Sequence, residues 1–306
     1  MCYNEKNSCS EKSLGKFIIF GVFKMVTFAN TFNKIFALLF SMLLMLTGTV
    51  NGFFNGDVKE CISEHGVVGL ETLTRSQDIT TDGEYFYFSG KHSLEKTDLD
   101  CKEIIALNHK ALEGELEDKY NSQHIGGISY YDGIIYAAVE DSKQWEHPVI
   151  ALYDAETLSY TGVCYELPVA LQTRGVPWVA VDGENGVAYT GDSRNYTEIF
   201  KFSLVDFSYL GTVAFSEEVQ KIQGGEISDG KLYAGTNDMT RSVYMIDLET
   251  GEVRKLFDRI AYEYKLIDNF GGEGEGLTLL RMEDGSYIHT LQLGALFIDA
   301  TLRHYE

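Results

Sequence analysis

Apolar and polar positions alternate along most of this chain in short runs, and no long stretch carries the three-to-four-residue spacing of an amphipathic helix. Five segments repeat one pattern: an apolar run, an Asp-Gly pair, an aromatic-rich run, a polar loop and a further alternating run. The pairs are Asp82-Gly83, Asp132-Gly133, Asp182-Gly183, Asp229-Gly230 and Asp284-Gly285, spaced 50, 50, 47 and 55 residues apart. Runs rich in Tyr, Phe, Val and Ile, with only three prolines in the chain, suit strands. Asp-Gly between two such runs predicts a tight hairpin.

The second and fourth segments match most closely. Gly126-Gly127-Ile128-Ser129-Tyr130, turn, Ile134-Ile135-Tyr136-Ala137 parallels Gly224-Gly225-Glu226-Ile227-Ser228, turn, Lys231-Leu232-Tyr233-Ala234. Several short strands per unit, repeated at 40–50 residues, predict an all-β fold: a single β-propeller of five blades, with six as the alternative. Val67 to Leu73 precedes the first unit without an Asp-Gly partner. It is expected to give a strand to the last blade, closing the ring and covering exposed edges. Two connections exceed the template: 106–123, with a helix-capable stretch from Lys110 to Glu117, and 258–272, with Tyr262 and Tyr264.

Residues 1–52 differ in kind. They hold five lysines, two acids and the apolar run Ile35–Leu46, a basic stretch before an apolar core that reads as a signal peptide or an uncleaved membrane anchor. Met25 is an alternative start. Either reading exports the rest, with the lysines inside. The expected organisation is therefore a leader at 1–52, an entry segment and closing strand at 53–76, and the propeller at 77–306.

Without the leader, 20 basic side chains face 44 acidic ones, a net charge of −24. Such a surface disfavours nucleic acid and anionic lipid and favours cationic partners or metal ions. Membrane contact is expected only through the leader, partners are a small molecule or an extracellular protein, and a monomer is the expectation. Cys61, Cys101 and Cys164 follow the leader, and a Cys61–Cys101 bridge is one arrangement open to them.

Propeller geometry gathers two sets of loops at one axial mouth: those entering each inner strand and those leaving each second strand. The candidate ligand-binding residues there are Gln77, Asp78, Glu140, Arg174, Trp178, Asp192, Gln223, Asp238 and Gln292. Trp178 can equally pack between blades. Glu226, Glu275 and His124 are the candidate acid/base groups. Gly272-Glu273-Gly274-Glu275-Gly276 places two carboxylates close together, and with Asp78 and Glu226 they form a candidate Ca²⁺ cluster of hard oxygen donors. No Gly-x-Ser-x-Gly elbow, P-loop or dinucleotide fingerprint is present.

Gln223-Gly224-Gly225-Glu226, Leu232-Tyr233-Ala234-Gly235 and the run Tyr244–Gly251 resemble exported bacterial propellers of the glutamine cyclotransferase kind. Glu275-Gly276-Leu277-Thr278 is similar to the Glu-Gly-Leu entries of that group and of phytase-like and SdiA-regulated propellers. Where cyclotransferases show Thr-Gln-Gly at the first blade, this chain has Ser76-Gln77-Asp78. The overall likeness is to uncharacterised secreted members, which implies a fold and no mechanism. Two functions follow: a ligand- or partner-binding propeller, or an enzyme. The enzyme would be a calcium-assisted hydrolase or a cyclotransferase using Glu226 or Glu275, with His124 as helper.

Overall fold

Strand-forming runs broken by tight turns can bury their apolar faces only by stacking sheet on sheet, and the chain does so around a ring. The computed structural model describes residues 58–142, 144–192, 194–260, 272–294 and 299–306. Blade 1 is β2 (Asp78–Thr81), β3 (Phe86–Gly90), β4 (Ser93–Thr97) and β5 (Ile104–Asn108). Blade 2 is β6 (His124–Tyr131), β7 (Ile134–Glu140), β8 (Val149–Asp154) and β9 (Tyr160–Glu166). Blade 3 is β10 (Val179–Asp182), β11 (Val187–Thr190), β12 (Asn195–Ser203) and β13 (Tyr209–Gln220). Blade 4 is β14 (Ile222–Ser228), β15 (Lys231–Thr236), β16 (Val243–Asp247) and β17 (Val253–Phe257).

Blade 5 takes β18 (Gly274–Leu279), β19 (Ile288–Leu293) and β20 (Asp299–Tyr305) from the end of the chain. Its outer strand is β1 (Ser63–Val68), paired antiparallel with β20 from Ser63↔His304 to Val68↔Asp299. The described residues thus form five four-stranded antiparallel sheets, a five-bladed propeller rather than the six-bladed alternative. The closing strand lies earlier than expected. Gly69, at φ 76°, ends the extended backbone, and Gly69–Leu73 turns as a 3-10 helix into blade 1.

The five Asp-Gly pairs are turns in two forms. In blades 2 and 4 both residues take positive φ (Asp132 49°, Gly133 79°; Asp229 50°, Gly230 69°), the geometry of a two-residue primed hairpin. In blades 1, 3 and 5 the aspartate accepts instead from the following backbone: Asp82 Oδ1 from the amides of Glu84 (2.8 Å) and Tyr85 (2.7 Å), Asp182 Oδ1 from that of Asn185 (3.2 Å), Asp284 Oδ1 from that of Ser286 (2.9 Å).

The core lies between blades. Tyr87, Leu94, Ile125 and Ile128 pack together between blades 1 and 2, and Val67, Phe86, Phe88, Leu291 and Leu302 between blades 5 and 1. The long 106–123 connection packs inward: α1 (Glu115–Tyr120) buries Leu116 and Tyr120, and Ala111 and Leu112 join the same cluster. The Cys61–Cys101 bridge does not form. Both thiols are free, Cys61 lying against the Phe257–Tyr305 cluster and Cys101 in the Val67–Phe86 one. The expected leader at 1–52, and Tyr262 and Tyr264, lie outside the described residues. No helix among the described residues is long and apolar enough to cross a membrane.

Candidate functional site

The first strands β2, β6, β10, β14 and β18 contact one another around the axis, so their side chains decide what the centre holds. Asp78 stands there with no exposed surface. Its Oδ1 accepts from the Ile79 amide at 2.8 Å and its Oδ2 from the Ile128 amide of blade 2 at 2.9 Å. Gly127, Gly224 and Gly276, from blades 2, 4 and 5, leave room for this carboxylate. A Cβ on Gly224 would come within 2.6 Å of it, one on Gly127 within 2.9 Å, and one on Gly276 would overlap it. Burial, against the pull of those two amides, raises the Asp78 pKa well above the usual carboxylate range.

One tier nearer the Asp-Gly turns, Glu226 Oε2 accepts from Thr80 Oγ1 (3.2 Å) and Thr278 Oγ1 (3.1 Å), joining blades 4, 1 and 5. Glu226 is half-buried, lying deep among protein atoms at the centre of the ring. Burial pushes its pKa up to about 7, and the two threonine hydroxyls oppose the rise without cancelling it.

Glu275, at the entry of blade 5, is 3 % exposed, and its Oε1 has no hydrogen-bond partner. Burial raises its pKa first, the neighbouring Glu273 carboxylate second, and Asp78 adds to both while the Arg259 guanidinium pulls the other way. Arg259 is buried too. It donates to the carbonyls of Leu291 (2.9 Å), Thr236 (2.7 Å) and Arg241, and burial brings its pKa down to about 10. With Arg241 Nη2 on the Gly272 carbonyl at 2.9 Å, these arginines pin the Gly-Glu-Gly-Glu-Gly segment by its backbone.

At the mouth of blades 1 to 3 a second group forms. Gln77 Nε2 donates to the Ser76 carbonyl (2.8 Å), which turns Gln77 Oε1 toward His124 Nε2 at 2.7 Å. On the other edge of the ring His124 Nδ1 lies 3.2 Å from Glu140 Oε1. Glu140 Oε2 lies against Gly175 of the blade 3 lead-in. Among the described residues eight buried side-chain polar atoms lack a hydrogen-bond partner. Four of them, Ser122 Oγ, His124 Nδ1, Glu140 Oε2 and Asp141 Oδ1, share this end of blade 2, and Glu275 Oε1 is a fifth mouth atom. Buried polar groups are ordinarily paired, so such a concentration marks a place where a polar partner belongs.

The remaining expected residues divide. Trp178 has no exposed surface and donates to Tyr196 OH at 3.3 Å, which is packing rather than a ligand platform. Asp238 is occupied in its own loop by the amides of Thr240 (3.0 Å) and Ser242 (2.9 Å) and by Tyr244 OH (3.2 Å). Gln292 accepts from Arg303 Nη1 at 2.8 Å, and Asp192 from Thr173 Oγ1 at 2.5 Å. Arg174 and Gln223 are half-buried. His124 joins Gln77 and Glu140 rather than Glu226 or Glu275.

Ser122, Thr80, Thr278 and Arg259 shape the centre without any sequence signal beyond their blade positions. Among the described residues no three His, Cys, Asp or Glu side chains stand in geometry to hold a metal ion. Of the four carboxylates named for calcium, Asp78 and Glu226 already accept from protein donors, whereas Glu275 Oε1 accepts from none.

No protein-family model matches this chain, and no curated protein matches it. Many solved structures are similar to it, among them the following two. The crystal structure of the computationally designed Ika8 protein has 12 % identity and a TM-score of 0.37 over 74 % of this chain and 57 % of that one. The crystal structure of a mitotic checkpoint complex has 11 % identity and a TM-score of 0.40 over 74 % of this chain and 63 % of that one. The matched region thus spans less than two thirds of the length of either structure's chain.

Proposed function

We propose that this protein is an exported propeller that binds a small polar ligand or partner group at its axial mouth. One observation carries the reading: the unpaired buried atoms of Ser122, His124, Glu140 and Asp141 gather at the mouth end of blade 2, with Glu275 Oε1 across the ring. A ligand that donates hydrogen bonds to the carboxylates and accepts one from Ser122 satisfies them together. The net charge of −24 beyond the leader supports a ligand with donor or cationic character. Export rests on the composition of residues 1–52.

The test is a thermal-shift screen of metals, amines, sugars and peptides, followed by calorimetry on the hits. A true mouth ligand raises the melting temperature of the wild type, because it binds only the folded state. Glu140→Gln is expected to weaken its binding about tenfold to a hundredfold, the effect of losing one charge-assisted hydrogen bond. Binding equally strong in Glu140→Gln and Glu275→Gln places the ligand elsewhere and sinks the reading.

Glu226 favours a second reading. A half-buried carboxyl group with its pKa pushed up to about 7 is matched to acid–base work near neutral pH. This is the enzyme alternative, to which the resemblance to cyclotransferase-type propellers also lends support. Its measurable consequence is turnover in a substrate screen that Glu226→Gln abolishes while Glu140→Gln leaves binding altered.

A further inference from the structure

Trp145 and Glu140 meet beside a glycine. Gly175, in the lead-in to β10, takes φ 84°, and the place a Cβ would occupy there is filled from two directions. Glu140 Oε2 would overlap that Cβ, and Trp145 Cδ1 lies 3.1 Å from it. Carboxylate oxygen and indole edge are therefore close neighbours across Gly175. The Glu140 side chain is 14 % exposed, its Oε1 is 3.2 Å from His124 Nδ1, and its Oε2 is buried with no hydrogen-bond partner among the described residues. A buried acceptor left unpaired costs stability, so a donor from a ligand is its natural complement.

Resting on the reading of the mouth as a ligand site, we propose that this corner takes the head of an organic cation, an ammonium or guanidinium group carried on hydrocarbon. An N–H of the head donates to Glu140 Oε2, and the hydrocarbon lies against the Trp145 indole.

The two side chains decide the class. An ionised carboxylate only accepts, and it pairs most strongly with a donor that is itself charged. A metal ion asks for several oxygen or nitrogen ligands, and among the described residues no three His, Cys, Asp or Glu stand in that geometry. An indole offers a metal ion no oxygen. It offers apolar surface and a ring that attracts organic cations. The loop carrying Trp145 is tied down from both ends. Asp141, with no exposed surface, accepts the Glu146 amide at 3.0 Å, and Asn121 Nδ2 donates to Gln144 Oε1 at 2.8 Å. Trp145 is half-buried and sits at φ 54°, a left-handed backbone that residues other than glycine seldom adopt.

The full chain is titrated at neutral pH with the chloride salts of n-butylammonium and, separately, n-butylguanidinium, and tryptophan emission is followed. Trp145 and Trp178 are the two tryptophans of the chain, and Trp178 has no exposed surface, so a ligand at this corner alters the emission of Trp145. Binding of one salt with a change in emission is expected, and the active salt identifies the head. The change is lost in Trp145→Phe, and Trp145→Ala weakens binding about tenfold. One comparison needs no variant. The n-butyltrimethylammonium ion carries the same charge without an N–H and is expected to bind about tenfold more weakly or worse. Equal binding of that ion, no binding of either salt, or an emission change that survives in Trp145→Phe overturns the proposal. If another screened ligand loses affinity in Glu140→Gln while both salts fail, the cation assignment falls and the mouth reading stands. Salts that bind the wild type, Glu140→Gln and Glu275→Gln equally well overturn both.

Discussion

Asp78 shows how far one side chain can organise a ring. Its two oxygens take an amide from its own blade and one from blade 2, and glycines of blades 2, 4 and 5 close around it. The packing is tight enough to make a definite prediction. Gly276→Ala forces a methyl into the carboxylate and is expected to cost about 1–3 kcal/mol, as overpacking does. Combined with Asp78→Ala the cost should fall well short of the sum of the two single changes, because the clash and the carboxylate vanish together. Chemical denaturation of the four proteins measures this, and simple additivity would mean that the two residues do not touch. The sequence offered Asp78 as a candidate ligand-binding and calcium-ligating residue at the mouth and as a departure from Thr-Gln-Gly. That its neighbours are glycines drawn from three other blades is a tertiary fact.

Elements repeat here with a hidden irregularity. The turn between third and fourth strands places one residue at positive φ in four blades: Cys101 (56°), Leu158 (57°), Phe207 (52°) and Gly251 (75°). In three of these turns, counting Phe207, the carbonyl four residues back accepts the amide of that residue: Leu158 on Asp154, Phe207 on Ser203, Gly251 on Asp247, each at 2.8 Å. Only blade 4 uses the residue that adopts this backbone freely, and Thr250-Gly251 is accordingly the one such turn the sequence displays. The others are held by packing. Phe207 stacks on Tyr165 at 4.7 Å and lies 5 % exposed.

Phe207→Gly therefore pits two effects against each other. Losing the buried ring costs about 3–5 kcal/mol, and relief of the left-handed backbone returns about 1–2 kcal/mol. A net loss of about 1–4 kcal/mol is expected from urea melts, and a variant as stable as the wild type would mean that the ring contributes no more than the backbone relief returns. The closing strand is a similar case. Alternation continues through Val67, but Gly69 at φ 76° fixes where it stops, and pairing with β20 fixes where it starts.

The whole molecule carries two opposing pH dependences. His289 Nδ1 meets His304 Nδ1 at 2.6 Å in the blade that β1 closes, and His289 Nε2 bonds the Leu280 carbonyl at 2.7 Å. Burial lowers both pKa values, that of His289 to about 4. The unfolded chain binds the extra protons first as pH falls, so this pair's contribution is complete above pH ~6.5 and is lost as pH drops through about 4. Glu226 acts with the opposite sign. Its pKa is raised to about 7, so between there and its ordinary value near 4.5 the folded state holds the proton and stability grows as pH falls. Melting temperature should thus gain less, or fall more, on lowering the pH from 7 to ~4.5 in Glu226→Gln than in the wild type. His304→Asn should reduce the loss below pH ~6. Superimposable profiles in either variant would remove the corresponding group from the account.

Repeat spacing, Asp-Gly turns and strand-forming composition were enough to predict a propeller ring of five blades, with six left open, because these depend on local backbone preference and on a period a one-dimensional chain can display; the count was settled by the five four-stranded sheets. The pairing of Gln77 with His124 and Glu140, the withdrawal of Trp178 into the core and the divided duties of Asp78, Glu226 and Glu275 were decided only on closure. Each involves residues tens to hundreds of positions apart. Their partners, their burial and hence their protonation come into being when the blades meet, and a chain read in order contains no distance between them.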